Sequence, residues 1–155
     1  VSPIQVITAT AAIANGGMLM RPYIIAKELD DKGNIISETQ PFVRRQVISK
    51  TTADTVTAMM EKVVSEGKGS RAQVEGYNVA GKSGTSEKLG SKNNAVIASF
   101  SSFAPAEDPK IAVLIVIDEP KGQTAGGMIA APIASEVIGN TLKYMNIAPT
   151  EKIVK

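Results

Sequence analysis

The residues of this 155-residue chain best suited to chemistry lie together at positions 76–88, GYNVAGKSGTSEK. Gly76 through Ser83 satisfy G-x-x-x-x-G-K-[ST], the loop whose amides and lysine cradle nucleotide phosphates. Lys82-Ser83-Gly84 also satisfy K-[ST]-G, a triplet that sets a lysine and a hydroxyl beside a serine nucleophile in acyl transfer. Composition removes other chemistries. The chain has no histidine, which excludes a Ser-His-Asp or Cys-His arrangement within it, and no cysteine, which excludes thiol catalysis, disulfides and thiolate metal sites. No metal or cofactor is expected. A net charge of +2 gives no basis for nucleic-acid or membrane binding by this chain.

The phosphate reading has a second half in its favour. The apolar run 111–117, IAVLIVI, precedes Asp118-Glu119 and resembles a strand ending in a magnesium-binding acid. Its context opposes it. A phosphate loop must curl and then open a helix facing the anion. Tyr77-Asn78-Val79-Ala80 favours an extended chain, and Gly84-Thr85-Ser86-Glu87-Lys88-Leu89-Gly90 leaves no room for a crossover helix. An NTPase remains only a remote alternative.

The elements that must position residues 82–85 follow from periodicity and punctuation. Ser2-Pro3 opens a helix, with Ile4, Ile7, Ala11 and Ala14 on one face and Asn15-Gly16-Gly17 as its stop. Two short apolar stretches between 23 and 36 flank Asp30-Asp31-Lys32-Gly33-Asn34, a hairpin turn. Ser49-Lys50-Thr51 opens a second helix with an apolar stripe of Val56, Met59, Met60, Val63 and Val64, the methionine pair read as core, and Gly67 ends it. Strands are expected at 77–83, 96–104 and 111–118, joined by turn-rich segments at 90–94 and 105–109. Linkers this short join antiparallel neighbours. A closing helix is expected at 128–145, facing the sheet through Ile133, Val137, Ile138 and Leu142. The fold class is α+β.

Four segments carry a resemblance far more specific than the triplet: VSPIQVITATAAIANGG, VISKTTADTVTAMMEKVVSEGKGSRAQVEGYNVAGKSGTSEK, ASFSSFAPAEDPKIAVLIVIDEPKG and GGMIAAPIASEVIGNTLKYMNI. Over residues 1 to about 149 the chain resembles the C-terminal half of the transpeptidase domain of class B (monofunctional) penicillin-binding proteins. It departs from that pattern at Lys68, where the family more often has threonine. The resemblance implies the penicillin-binding transpeptidase and serine β-lactamase-like fold, an antiparallel sheet flanked by helices, followed by a tail at 150–155. It implies a D,D-transpeptidase that cross-links peptidoglycan stem peptides and is acylated by β-lactams. Lys82 would then supply positive charge near the nucleophile, and Gly84 would leave room for substrate. The hydroxyls of Ser83 and Thr85 would bind the terminal carboxylate of D-Ala-D-Ala, and the Thr85 amide would donate to the oxyanion. A β-lactam sensor or serine β-lactamase shares the fold and is the nearer alternative.

The family also uses S-x-x-K and S-x-N, in that order, before the triplet. Ser65-Glu66-Gly67-Lys68 and Ser91-Lys92-Asn93 match in letters only: the first sits at a helix end with a glycine inside it, and the second follows the triplet. The chain is therefore expected to be part of a longer domain, without its nucleophile and inactive alone. Two strands of the family's sheet would lie outside it. The edge of strand 111–118 would then be covered by the missing half of the domain or by a second copy. The parent is expected at the outer face of the bacterial membrane, anchored by a segment outside this sequence.

Overall fold

The computed structural model describes residues 1–90 and 95–150. Helix α1 spans Pro3–Ala14. The Ser2 amide donates to Gln5 Oε1 at 2.8 Å, and Pro3 occupies a first-turn position where no amide partner is needed. Gly16 and Gly17, with φ of 61° and 90°, then turn the chain out of the helix. There follow β1 (Met18–Met20), β2 (Lys27–Leu29), β3 (Ile35–Glu38), β4 (Val43–Gln46), α2 (Lys50–Ser65), a 3₁₀ turn (Ser70–Ala72), β5 (Ala80–Glu87), β6 (Val96–Ala104), β7 (Ile111–Asp118), α3 (Gly126–Ile129) and α4 (Ala131–Tyr144).

The expected α+β architecture is present. The main sheet has the order β5-β6-β7, antiparallel throughout. The expected hairpin is β2–β3, and Asp30 Oδ1 sets its turn by accepting the amides of Lys32 and Asn34 at 2.9 and 2.7 Å. Helix α2 starts where Ser49 Oγ accepts the Thr52 amide at 3.1 Å. The 90–94 turn lies partly outside the described residues, as does the 150–155 tail beyond Thr150, whose amide donates to Gly76 O at 2.9 Å.

Two layers of helix enclose the sheet. Strand alternation places Phe100, Ala104 and Val113 on one face, where Ala130, Ala131, Ala134, Ile138 and Leu142 pack on them. The opposite face presents Ala80, Phe103 and Ala112 to Ile13 and Ala14 of α1 and to Val56 and Met60 of α2. Both cores are small-residue contacts around two buried phenylalanines, so the layers approach closely.

Several expectations are corrected. The third-last strand begins at Ala80 rather than residue 77 and continues to Glu87. Tyr77 is held off the sheet: it bridges to Val74, and its buried ring carries an O–H donated to Ile147 O at 2.6 Å. The β1–β4 ribbon was not foreseen, because Val43-Arg44-Arg45-Gln46 has no apolar alternation to signal a strand. Met60 is core, whereas Met59 is 61% exposed. The closing helix is broken at Ala130 into α3 and α4; its sheet-facing residues are Ala131, Ala134, Ile138 and Leu142, while Ile133 and Val137 face outward. In α1 the buried residues are Thr10 and Ala12; Ile4, Ile7 and Ala11 instead line an open apolar groove with Met20 and Pro22.

Candidate functional site

Strand β5 carries Lys82, Ser83, Gly84 and Thr85 as four consecutive residues, opposite Ser101, Phe100, Ser99 and Ala98 of β6. Alternation divides their side chains. Lys82 and Gly84 share the α1–α2 face with Ala80, and Ser83 and Thr85 share the α3–α4 face with Gly81.

The backbone alternates as well. The Lys88 amide donates to Ala95 O at 2.8 Å, which continues the β5–β6 register. Antiparallel pairing then turns the amides of even-numbered β5 residues toward β6 and those of Gly81, Ser83 and Thr85 toward the open edge. Ser83 O on that edge accepts the Lys82 ammonium at 2.6 Å. Thr85 therefore offers its N–H outward, beside the exposed Lys82 and the hydroxyls of Ser83 and Thr85. A donor amide, two hydroxyls and an ammonium along one strand edge suit an anionic, peptide-like ligand.

Small residues make this edge possible. A Cβ at Gly81 would lie 2.7 Å from the buried Phe100 ring. At Gly84 a Cβ would meet Ser99 Oγ of the cross-strand neighbour at 2.5 Å. Ser101, opposite Lys82, shares a 2.7 Å hydroxyl contact with the buried Thr10 of α1, fixing that helix to the sheet beneath the lysine.

Sequence reasoning missed two supports of the site. The first is Gly126-Gly127 at the start of α3: both are buried, and the Gly126 amide donates to Thr85 Oγ1 at 3.2 Å. The paired glycines were the available signal. The second is Lys88, whose ammonium reaches Asp118 at 2.9 Å and Glu119 at 2.6 Å across the end of β6. The hydrogen bonds it donates to Glu119 and then Asp118 raise its pKa above the ordinary lysine value. Both acids proposed for magnesium in the phosphate reading are thus occupied by a lysine. Moreover, β6 separates β5 from β7, and Ser83 continues as strand to Glu87 instead of opening a helix, so the phosphate-loop architecture is not formed.

Of the two motif look-alikes, Ser65 is the exposed last residue of α2 and Lys68 follows it in a turn, with its carbonyl against Gly127. Ser91-Lys92-Asn93 lie outside the described residues. No helix among the described residues is long and apolar enough to cross a membrane.

A family model described as the penicillin binding protein transpeptidase domain matches residues 1–139. Stage V sporulation protein D of Bacillus subtilis is 37% identical over 100% of the chain and 25% of its own length. Peptidoglycan D,D-transpeptidase FtsI of Escherichia coli is 33% identical over 96% of the chain and 24% of its own length. Among solved structures, penicillin-binding protein A of M. tuberculosis, as its ceftriaxone acyl-enzyme complex, superposes with a TM-score of 0.80. That match is 30% identical, covering 89% of this chain and 32% of that one. The chain thus spans about a quarter of the length of these curated relatives.

Proposed function

Because the chain belongs to the penicillin-binding protein transpeptidase domain family, we propose that it forms the substrate-binding wall of a serine-type peptidoglycan D,D-transpeptidase. In the reaction, a serine supplied by the rest of the domain adds through Oγ to the penultimate D-Ala carbonyl and gives up its proton to a base. The C–N bond to the terminal D-Ala breaks, and that residue leaves as a protonated amine. An acceptor amine then displaces the serine and forms the cross-link. A β-lactam enters the first step, and the opened ring stays attached.

This chain's residues contribute to that sequence in distinct ways. The Thr85 amide stabilises the oxyanion; loss of one such donor typically costs about 10²–10³ in rate. The hydroxyls of Ser83 and Thr85 hold the terminal carboxylate, and Lys82 adds positive charge along the proton-transfer path. The outward direction of the Thr85 amide on an open strand edge is the observation that carries this reading. The partner at the other edge of the sheet is the remainder of the same domain, and the working location is the outer face of the bacterial membrane.

Fluorescent penicillin tests the proposal. The full-length polypeptide containing this segment should label covalently, Lys82→Gln should slow labelling by ~10²-fold or more, and the 155-residue chain alone should not label. Labelling of the isolated chain would overturn the assignment of the nucleophile to another segment. Absence of labelling in the full-length protein would overturn the enzyme reading. Rapid loss of the label would favour a β-lactamase over a transpeptidase.

A further inference from the structure

We infer that Gly126 is a positioning residue that fixes the polarity of the Thr85 hydroxyl, making Thr85 a committed donor toward an anionic acceptor. The inference rests on the proposed carboxylate-binding role of β5. A threonine hydroxyl has one proton and two acceptor lone pairs, and its proton rotates to suit its neighbours. Here the Gly126 N–H, 3.2 Å from Oγ1, occupies one lone pair. The hydroxyl proton must then point elsewhere, and among the described residues no acceptor takes it. Thr85 is exposed at the open edge, so its proton is free to meet a ligand there. An unpaired hydroxyl could accept from an amide N–H as readily as donate to a carboxylate. One already engaged as an acceptor is biased toward the carboxylate.

Glycine is required at 126 by backbone contact rather than by its own flexibility. A Cβ there would overlap the carbonyl oxygens of Ser99 and Gly84 and lie 3.0 Å from Ser99 N. These belong to the cross-strand pair immediately before Thr85. The close approach of α3 to this pair is what brings the Gly126 amide within reach of Oγ1. Gly127 repeats the arrangement one residue on, where a Cβ would overlap Lys68 O. The chain entering α3 is therefore wedged between β5–β6 and the turn after α2.

The test compares acylation of the full-length protein by benzylpenicillin and by its methyl ester, which lacks the anionic acceptor. Gly126→Ala and Thr85→Val should each lower the acid-to-ester ratio of rate constants by about tenfold or more, the scale of one hydrogen bond to a charged group. Thr85→Ser should retain the ratio. The double variant should lose little beyond Thr85→Val, because both changes remove one interaction. Equal loss for both probes in Gly126→Ala, or additive losses in the double variant, would overturn the inference. Should Gly126→Ala fail to fold, the Gly126 amide proton resonance decides: it must shift upfield in Thr85→Val, and an unmoved resonance overturns the hydrogen bond. Failure of the wild-type protein to react with either penicillin would instead defeat the transpeptidase reading itself.

Discussion

At the residue scale, single atoms set the tolerances around the site. Gly81 lies under the Phe100 ring, with Val64 Cγ2 also 3.2 Å from where a Cβ would stand. Phe100 is fully buried and has nowhere to retreat. Gly81→Ala should therefore destabilise the fold by about 1–3 kcal/mol, which thermal unfolding of the full-length protein would register as a fall of several degrees. Glu61 predicts the opposite sign. It lines an open cleft of about 340 Å³ with Lys50, Asp54 and Glu107. Burial, and second the charge of Glu107, raise its pKa above the ordinary glutamate value. A carboxyl raised by folding favours the native state fully below its unfolded value of about 4.3, and that contribution is lost as pH rises through the native value. Glu61→Gln should accordingly raise the melting temperature at pH 7 by roughly 1–2 °C and leave it unchanged near pH 3. A variant that is equally stabilised at both pH values would contradict the charge-burial account.

At the element scale, what was legible in the sequence depended on whether the signal was local. Ser2-Pro3, Asp30 to Asn34 and Ser49 announce their helix starts and hairpin through their own hydrogen bonds, and each was read where it occurs. The central and last strands of the main sheet, β6 and β7, were bounded correctly because turn residues flank them. Tyr77 and Val79 look like strand residues, yet both are buried in packing ahead of β5; their partners are distant in sequence and left no local trace. The faces of α1 and α4 are legible only in part, in Ala14, Ile138 and Leu142, for a related reason. Periodicity finds the large apolar residues, whereas close helix–sheet contact here selects alanine and glycine. The candidate strand was legible as a motif, but its supports were not: the link from Gly126 to Thr85 spans 41 residues and that from Lys88 to Glu119 spans 31.

At the scale of the whole molecule, the sheet has two unlike edges. The Glu119 amide donates to Val96 O at 3.0 Å, so the β6–β7 register turns the amides of Ala112, Leu114, Val116 and Asp118 outward from β7. Among the described residues no strand pairs with them. If the remainder of the domain covers this edge, hydrogen exchange should distinguish the two contexts. In the isolated chain these four amides should exchange much faster than those of Val113, Ile115 and Ile117, and in the full-length protein the contrast should vanish. Equal protection in the isolated chain would show the edge already covered, by self-association or by a rearranged strand. The Lys88 clasp adds a further consequence. One ammonium spans the middle strand and ties together the ends of both outer strands. The clasp is open to solvent, so added salt should screen it and let the ends of the two outer strands part more readily.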